Sequence, residues 1–402
     1  MSEAAAHRSV EGGGSEGGSD GAGGDKGRSG RAEAGADGAA AGRGSAAPAG
    51  GEPRAHVQPA AVDAGHEAAS GGVARRGNSR AAMPFERTIH EMEAKLAELR
   101  EAARNTTYDV SEEIESLEAQ LQDLIAKTYA RLTAWERVNV ARHPDRPVTA
   151  DYIATMLDEF TELHGDRSFG DDRAMVTGLA RMGEHRFMLI AHRKGRTTKE
   201  RLECNFGCAH PEGYRKAWRK MKLAEKLRLP IVTLVNTPGA YPGIGAEERG
   251  QAVAIAENII GMFSLRVPIL VCVIGEGGSG GALGIGVGDR VVMLEHAYYS
   301  VISPEGCAAI LWKSGERSAE AAEALKLTSE HLSALGIIDG IIKEPLGGAH
   351  RDPAGAIANV RAELTRHLDE LIQIPVDELV SVRRDKFRHI AALEGRFPAV
   401  AV

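Results

Sequence analysis

The feature that most constrains this chain is a pair of glycine-rich segments, each placed directly behind a short apolar run. Residues 231–236 lead into Asn236-Thr237-Pro238-Gly239-Ala240-Tyr241-Pro242-Gly243. Residues 269–274 lead into Gly275-Glu276-Gly277-Gly278-Ser279-Gly280-Gly281-Ala282-Leu283. Short β-branched runs bounded by glycine and proline read as buried strands. Glycines where such strands leave the carboxyl edge of a sheet let backbone N–H groups approach a ligand, and successive amides there can hold an oxygen anion. Residues 187–192 and 291–294 read as further strands, and 213–227 and 247–263 as helices. That alternation predicts an α/β layered domain with a mostly parallel sheet. A closing helix over 354–372 and a polar tail follow.

Three regions are expected. Residues 1–82 are Gly, Ala, Ser and mixed charge with almost no large apolar side chains, so they read as a disordered low-complexity extension. They lack the apolar core of a signal peptide, and acidic residues are too frequent for a transit peptide. Met83 marks the change in composition; a translation start there and an unstructured tail before it both remain open. Residues 83–145 read as a helical hairpin. Ile89, Met92, Leu96 and Leu99 recur at helical spacing, as do Ile114, Leu117, Leu121, Leu124 and Ile125 after the Asn105-Thr106-Thr107 break. Ser111 with Glu112 and Glu113 predicts a capped, acidic start to the second helix. The single apolar seam is for packing on a body or a partner. Residues 146–402 form the third region, which carries the glycine-rich segments.

Composition removes several function classes. A formal net charge of −7 argues against a general nucleic-acid binder. Four cysteines in 402 residues build no disulfide framework and fit a reducing, cytoplasmic compartment. Cys204 and Cys208 have His192 and His210 nearby but no second ligand pair, so no metal site is expected in this chain. No run approaches the roughly 20 apolar residues of a membrane helix, and a soluble protein is expected.

The second glycine-rich segment admits three readings. Gly275-x-Gly277-x-x-Gly280, with Glu295 about twenty residues on, formally fits the dinucleotide fingerprint, although it falls late in the chain and the glycines after it make a poor helix. Gly277-Gly278-Ser279-Gly280-Gly281 fits the Gly-x-Ser-x-Gly turn of serine hydrolases, with Asp339 and His350 following in order. An oxyanion hole of backbone amides needs only glycine and small residues, and no His/Asp pair lies near either segment in sequence. A non-enzymatic scaffold is the remaining class, favoured only if changing the glycine segments alters no rate.

At these residues the chain resembles the carboxyltransferase α-subunit family of multi-subunit acetyl-CoA carboxylase. The resemblance is carried by Lys194-Gly195-Arg196, Asn205-Phe206-Gly207, Pro211-Glu212-Gly213-Tyr214-Arg215-Lys216, the two glycine-rich segments and Gly245-Ala246-Glu247-Glu248-Arg249-Gly250-Gln251. It continues through Tyr299-Ser300-Val301-Ile302-Ser303-Pro304-Glu305-Gly306-Cys307 and Glu344-Pro345-Leu346-Gly347-Gly348-Ala349-His350-Arg351. It extends back to Phe85 and leaves out only residues 1–82. Asn236 stands where much of the family has aspartate.

The resemblance implies a crotonase/ClpP-like spiral of ββα units. It also implies a biotin-dependent carboxyltransferase, active only with a β subunit that carries a zinc ribbon, in an α2β2 heterotetramer within an ATP-binding complex. Carboxybiotin on biotin carboxyl carrier protein, charged by biotin carboxylase, would donate its carboxyl group to acetyl-CoA. The product is malonyl-CoA, the first committed step of fatty acid biosynthesis. With the biotin nitrogen itself taking the acetyl-CoA proton, no enzyme base is required. By resemblance, Gly280, Gly281 and Ala282 supply the catalytic amides. Gly239, Ala240, Tyr241, Gly277 and Gly278 line the biotin site. Lys194, Arg196, Lys199 and Arg201 are candidates for steering the anionic substrate, with a solvated charged loop as the alternative. The hairpin is a candidate clasp for assembly, so removing residues 83–140 is expected to harm complex formation.

Overall fold

The computed structural model describes residues 83–105 and 109–390. The expected low-complexity tail and the Thr106-Thr107 part of the hairpin break lie outside the described residues.

The central strands form because their apolar runs can be covered on both faces. β4 (Ile231–Thr237) and β5 (Ile269–Gly278) are buried along their whole length, the pattern of an interior parallel strand. Each large apolar side chain buried this way contributes about 2 kcal/mol relative to exposure. Among the described residues the sheet has eight strands. β1 (Glu159–Glu162), β2 (Met175–Met182) and β3 (His185–His192) pair antiparallel. From β3 the sheet continues in parallel through β4, β5, β6 (Arg290–Leu294) and β8 (Gly340–Ile342). β7 (Tyr298–Ser300) pairs with the far end of β5.

Apart from β7, which steps back to β5, strand order follows chain order, so the crossovers along this path step the same way. With right-handed connections this winds the chain into a one-way spiral, without the reversal that creates a switch point in doubly wound sheets. The connections carry α5 (Thr198–Glu203) and α6 (Pro211–Leu227), then α7 (Ile244–Glu248) and α8 (Gln251–Met262), then the short α9 (Ser279–Leu283). α10 (Pro304–Trp312), α11 (Ser318–Leu325) and α12 (Ser329–Ala334) lead to β8. α6 starts at Pro211 and turns Tyr214, Ala217, Met221 and Ala224, three or four residues apart, into the core.

Helices α1 (Arg87–Asn105) and α2 (Ser111–Tyr129) bury Ile89, Leu96, Leu121, Ile125 and Tyr129 in one cluster with Leu132 and Val140. Ser111 is the first helical residue of α2 and not its cap; Asp109 Oδ1 accepts its amide at 3.0 Å. The same stretch contains a third helix, α3 (Ala134–Ala141), opened by a Thr133–Glu136 capping box and packed on β5 and β7. α4 (Thr149–Met156) follows and meets α13 (Pro353–Leu371), which also packs on β5 and β8.

Two expectations change. The helix expected over 247–263 is two, α7 and α8, because Gly250 takes a left-handed φ of 78° between them. The polar tail is a helix, α14 (Val376–His389), docked through buried Leu379 and Arg383. No helix among the described residues is long and apolar enough to cross a membrane.

Candidate active site

The parallel pairing of β4 with β5 sets Thr237 opposite Gly277 and so brings the two glycine-rich segments together. Their approach explains two of the glycines. A Cβ on Gly278 would lie 2.1 Å from the Pro238 oxygen, and one on Gly281 would lie 2.5 Å from the Ala240 nitrogen. The first turn is pinned by its own polar groups. Thr237 Oγ1 accepts the Gly239 amide at 3.1 Å and donates to the Gly239 carbonyl at 2.7 Å. Gln251 Nε2 donates to the carbonyls of Ala209 and Tyr241 at 2.8 and 3.0 Å.

Gly239, Ala240, Gly277, Gly278, Gly280, Gly281 and Ala282 therefore belong to one contiguous patch of backbone. The Tyr241 ring turns aside and stacks on His210, with centroids 4.1 Å apart. β5 runs through Gly278, so Gly277 and Gly278 are strand residues paired with Tyr299 and Ser300, where the sequence suggests a turn. The chain reverses at Ser279, whose φ of 50° is left-handed, and α9 begins there. The amides of Gly280 and Gly281 have no acceptor among the described residues.

Beneath this patch lies a charged layer that sequence reasoning missed. Glu276 is buried within β5. It accepts from Arg142 Nε at 2.7 Å and Tyr298 Oη at 2.8 Å, and it contacts Lys194 Nζ. Its amide donates to Asn236 Oδ1 at 3.2 Å, so the side chain of Asn236 ties one glycine-rich segment to the other. Arg142 also holds Glu305, and although burial raises that carboxyl, the Arg142 hydrogen bond brings it below the ordinary range. Arg146 donates to the Ile274 carbonyl at 2.9 Å and grips Glu344 with two bonds of 2.9 and 2.6 Å. Burial alone would raise Glu344, but Arg146 and the amide of His296 bring it to about 2. The signal for this layer was a glutamate inside a buried, glycine-rich strand, since a buried charge requires partners.

The four basic candidates do not converge. Lys194 is spent on Glu276, and Arg196 pairs with Asp151. Lys199 is exposed on α5, whereas Arg201 is half-buried with its Nε unpartnered. The serine-hydrolase constellation is not assembled either. Asp339 is held by Lys386 and the Val291 amide, and His350 packs between Tyr129 and His143 beside Glu86. Cys204 and Cys208 are free thiols, and His192 lies fully buried at the end of β3. The group with metal-ligand spacing among the described residues is Glu86, His143 and His350, within 4.8 Å of one another. Its carboxylate already takes Tyr129 at 2.7 Å and Arg351 at 3.1 Å, and the arginine would repel a cation.

Comparison with known proteins supplies the context. The family model "Acetyl co-enzyme A carboxylase carboxyltransferase-like" matches residues 82–391. A relative from Rhodopirellula baltica, named acetyl-coenzyme A carboxylase carboxyl transferase subunit alpha, is 55% identical over 312 residues. That match covers 77% of this chain and 96% of the relative. One of the same name from Methylococcus capsulatus is 53% identical over 304 residues, covering 76% of this chain and 95% of the relative. A solved transcarboxylase 12S structure aligns with 57% of this chain and 42% of its own at 20% identity and a TM-score of 0.47.

Proposed function

The chain belongs to the carboxyltransferase family of acetyl-coenzyme A carboxylase, and we propose that its paired glycine-rich segments hold the carboxyl donor while the carboxyl group moves to acetyl-CoA. The observation that carries this reading is the pair of unclaimed amides at Gly280 and Gly281, set on a backbone patch where a Cβ at Gly281 would collide.

Carboxybiotin on its carrier protein, when bound, would supply the carboxyl group and leave a ureido oxygen whose negative charge needs N–H donors. The residues present fit that need. Gly280 and Gly281 offer N–H donors with no competing acceptor, and Ala282 continues the same turn. Donors fixed before the reaction, in a site poor in water, are the usual largest contribution to such catalysis. Gly239 and Ala240 form the facing wall, and Gly277 and Gly278 keep the two walls in contact. Tyr241, stacked on His210, closes the edge of that wall. Of the basic candidates, Lys199 and Arg201 retain charge free to meet an anionic substrate. Lys194 and Arg196 hold the structure.

The partner proposed is a zinc-ribbon β subunit in an α2β2 assembly, located in the cytoplasm with biotin carboxylase and the carrier protein. A helix that borders the glycine patch supports it: α8, which packs on α9, exposes Val253 (61%) and Ile260 (70%). Further along the chain, α10 exposes Ile310 and Leu311. Clusters of this kind beside a site mark contact with another chain.

The test is the reverse reaction, malonyl-CoA with biocytin giving acetyl-CoA. Activity should appear only when the chain is mixed with the β partner, and Gly281→Val should lower kcat by about 10²–10³ while the complex still forms. Activity of the chain alone, or a fully active Gly281→Val complex, would refute the shared-site reading. Ester hydrolysis by the chain alone that depends on Ser279 would restore the hydrolase.

A further inference from the structure

The carbonyl of Gly281 is left aside by its own turn. A helical carbonyl ordinarily accepts the amide four residues on. Here the Ile285 amide goes to Ala282 at 3.3 Å, and the Gly284 amide goes to Gly280 at 2.9 Å. The group that takes the Gly281 carbonyl comes from another element. Tyr214, fully buried on α6, donates its hydroxyl to it at 3.3 Å.

Tyr214 is itself braced. Asn258 Nδ2 from α8 donates to the Tyr214 carbonyl at 3.1 Å and to the Gly284 carbonyl at 3.0 Å. The Tyr214 ring lies so close to Gly284 that a Cβ there would be 2.6 Å from it. On β3 the His192 ring interacts with the Gly281 backbone and has no full hydrogen bond at either nitrogen. Burial pushes His192 down to about 3, so it stands neutral behind the turn.

A glycine run has the loosest backbone a chain can offer. Amides meant to meet a developing charge must nevertheless hold their direction to within a fraction of an ångström. The fixing force has to come from outside the run. We propose that Tyr214 is a positioning residue for carboxyl transfer: its hydroxyl anchors the Gly281 carbonyl, which fixes the peptide plane that ends in the Ala282 amide and restrains the turn that carries the Gly280 and Gly281 amides. This inference rests on reading those amides as the oxyanion donors.

The experiment uses Tyr214→Phe in the assembled complex with the β partner, assayed in the malonyl-CoA and biocytin reaction. Loss of the hydroxyl should lower kcat about tenfold and leave KM for both substrates within about twofold. In the same variant, hydrogen exchange at the Gly284 and Ile285 amides, the hydrogen-bonded amides of this turn, should quicken about tenfold, while exchange along β5 stays as in the wild type. An unchanged kcat overturns the proposal. So does a lower kcat with unchanged exchange at the turn, or one explained by an equal loss of assembled complex. The Gly281→Val control separates the two ideas. If that variant is fully active the oxyanion reading fails, and the proposal falls with it for a reason the Tyr214→Phe data did not supply.

Discussion

The two ends of β5 are held by the same chemistry put to opposite uses. At its start, Arg383 reaches in from α14 and is fully buried. It makes bonds of 2.8 and 2.7 Å to Asp289 and donates to the carbonyls of Met262, Leu265 and Val267. Asp289 in turn accepts the Ile269 amide at 2.7 Å. All the donors of this guanidinium that the fork geometry offers are used, and the pair is closed to water. At the other end, Arg142 and Arg146 from just beyond α3 meet Glu276 and Glu344, but the layer opens outward. Arg142 keeps a quarter of its side chain exposed and Glu305 more than that. One end is a lock and the other is a support whose edge reaches solvent. A buried ion pair alone therefore says nothing about function; its access to solvent and its distance from unclaimed backbone donors do.

The comparison breaks most visibly if the lock is removed. Arg383→Met strands Asp289 without its cation, and chemical denaturation should show a loss of roughly 3–5 kcal/mol. The folded, assembled variant should keep its kcat in the reverse reaction. A lower kcat at temperatures where it is fully folded would show that the two ends are mechanically coupled.

A smaller effect sharpens the site end. Glu344 stands at about 2 in the folded chain against an ordinary 4.5. Its contribution is therefore complete above about 4.5 and is lost as pH falls toward 2. Denaturation midpoints measured from pH 6 to pH 3 should fall more steeply for the wild type than for Glu344→Gln. Parallel slopes would mean the pair is not what stabilises this end.

The smallest effect concerns strain. Ser279 is a non-glycine residue in the left-handed region, which costs about 1–2 kcal/mol, at the junction of β5 and α9. Ser279→Gly should raise stability by about 1 kcal/mol and leave kcat within about threefold. A large loss of activity would give the serine hydroxyl a part in the chemistry.

Much of this architecture could be read from the sequence because it rests on local pattern. The apolar runs at 187–192, 231–236 and 269–274 all lie inside observed strands, since a strand buried on both faces shows itself as an unbroken run. β1, β2, β7 and β8 are not expected from the sequence: β1 is short and mostly exposed, β7 and β8 have three residues each, and the apolar residues of β2 are interrupted by Thr177, Gly178 and Arg181. α14 was hidden by its charge. Its inward face holds Leu379, Arg383 and the partly buried Phe387, and an arginine in a core position looks polar until Asp289 is seen opposite it. The glycine patch was legible as a place for backbone chemistry, but the layer beneath it was not. Arg142, Lys194, Glu276, Tyr298 and Glu344 are scattered over two hundred residues of chain, and only the fold makes them neighbours.

The order of the strands has a consequence for how the molecule is made. From β3 onward, each unit that leaves the ribosome finds its pairing edge already built by the unit before it. The sheet can grow in the direction of synthesis without waiting for a distant partner, which keeps the closing loops short. The clasp at the beginning of β5 cannot close on the same schedule. Asp289 must wait for its cation until residue 383 has been added, so the nascent chain passes through a stage in which its central strand is paired but not yet secured.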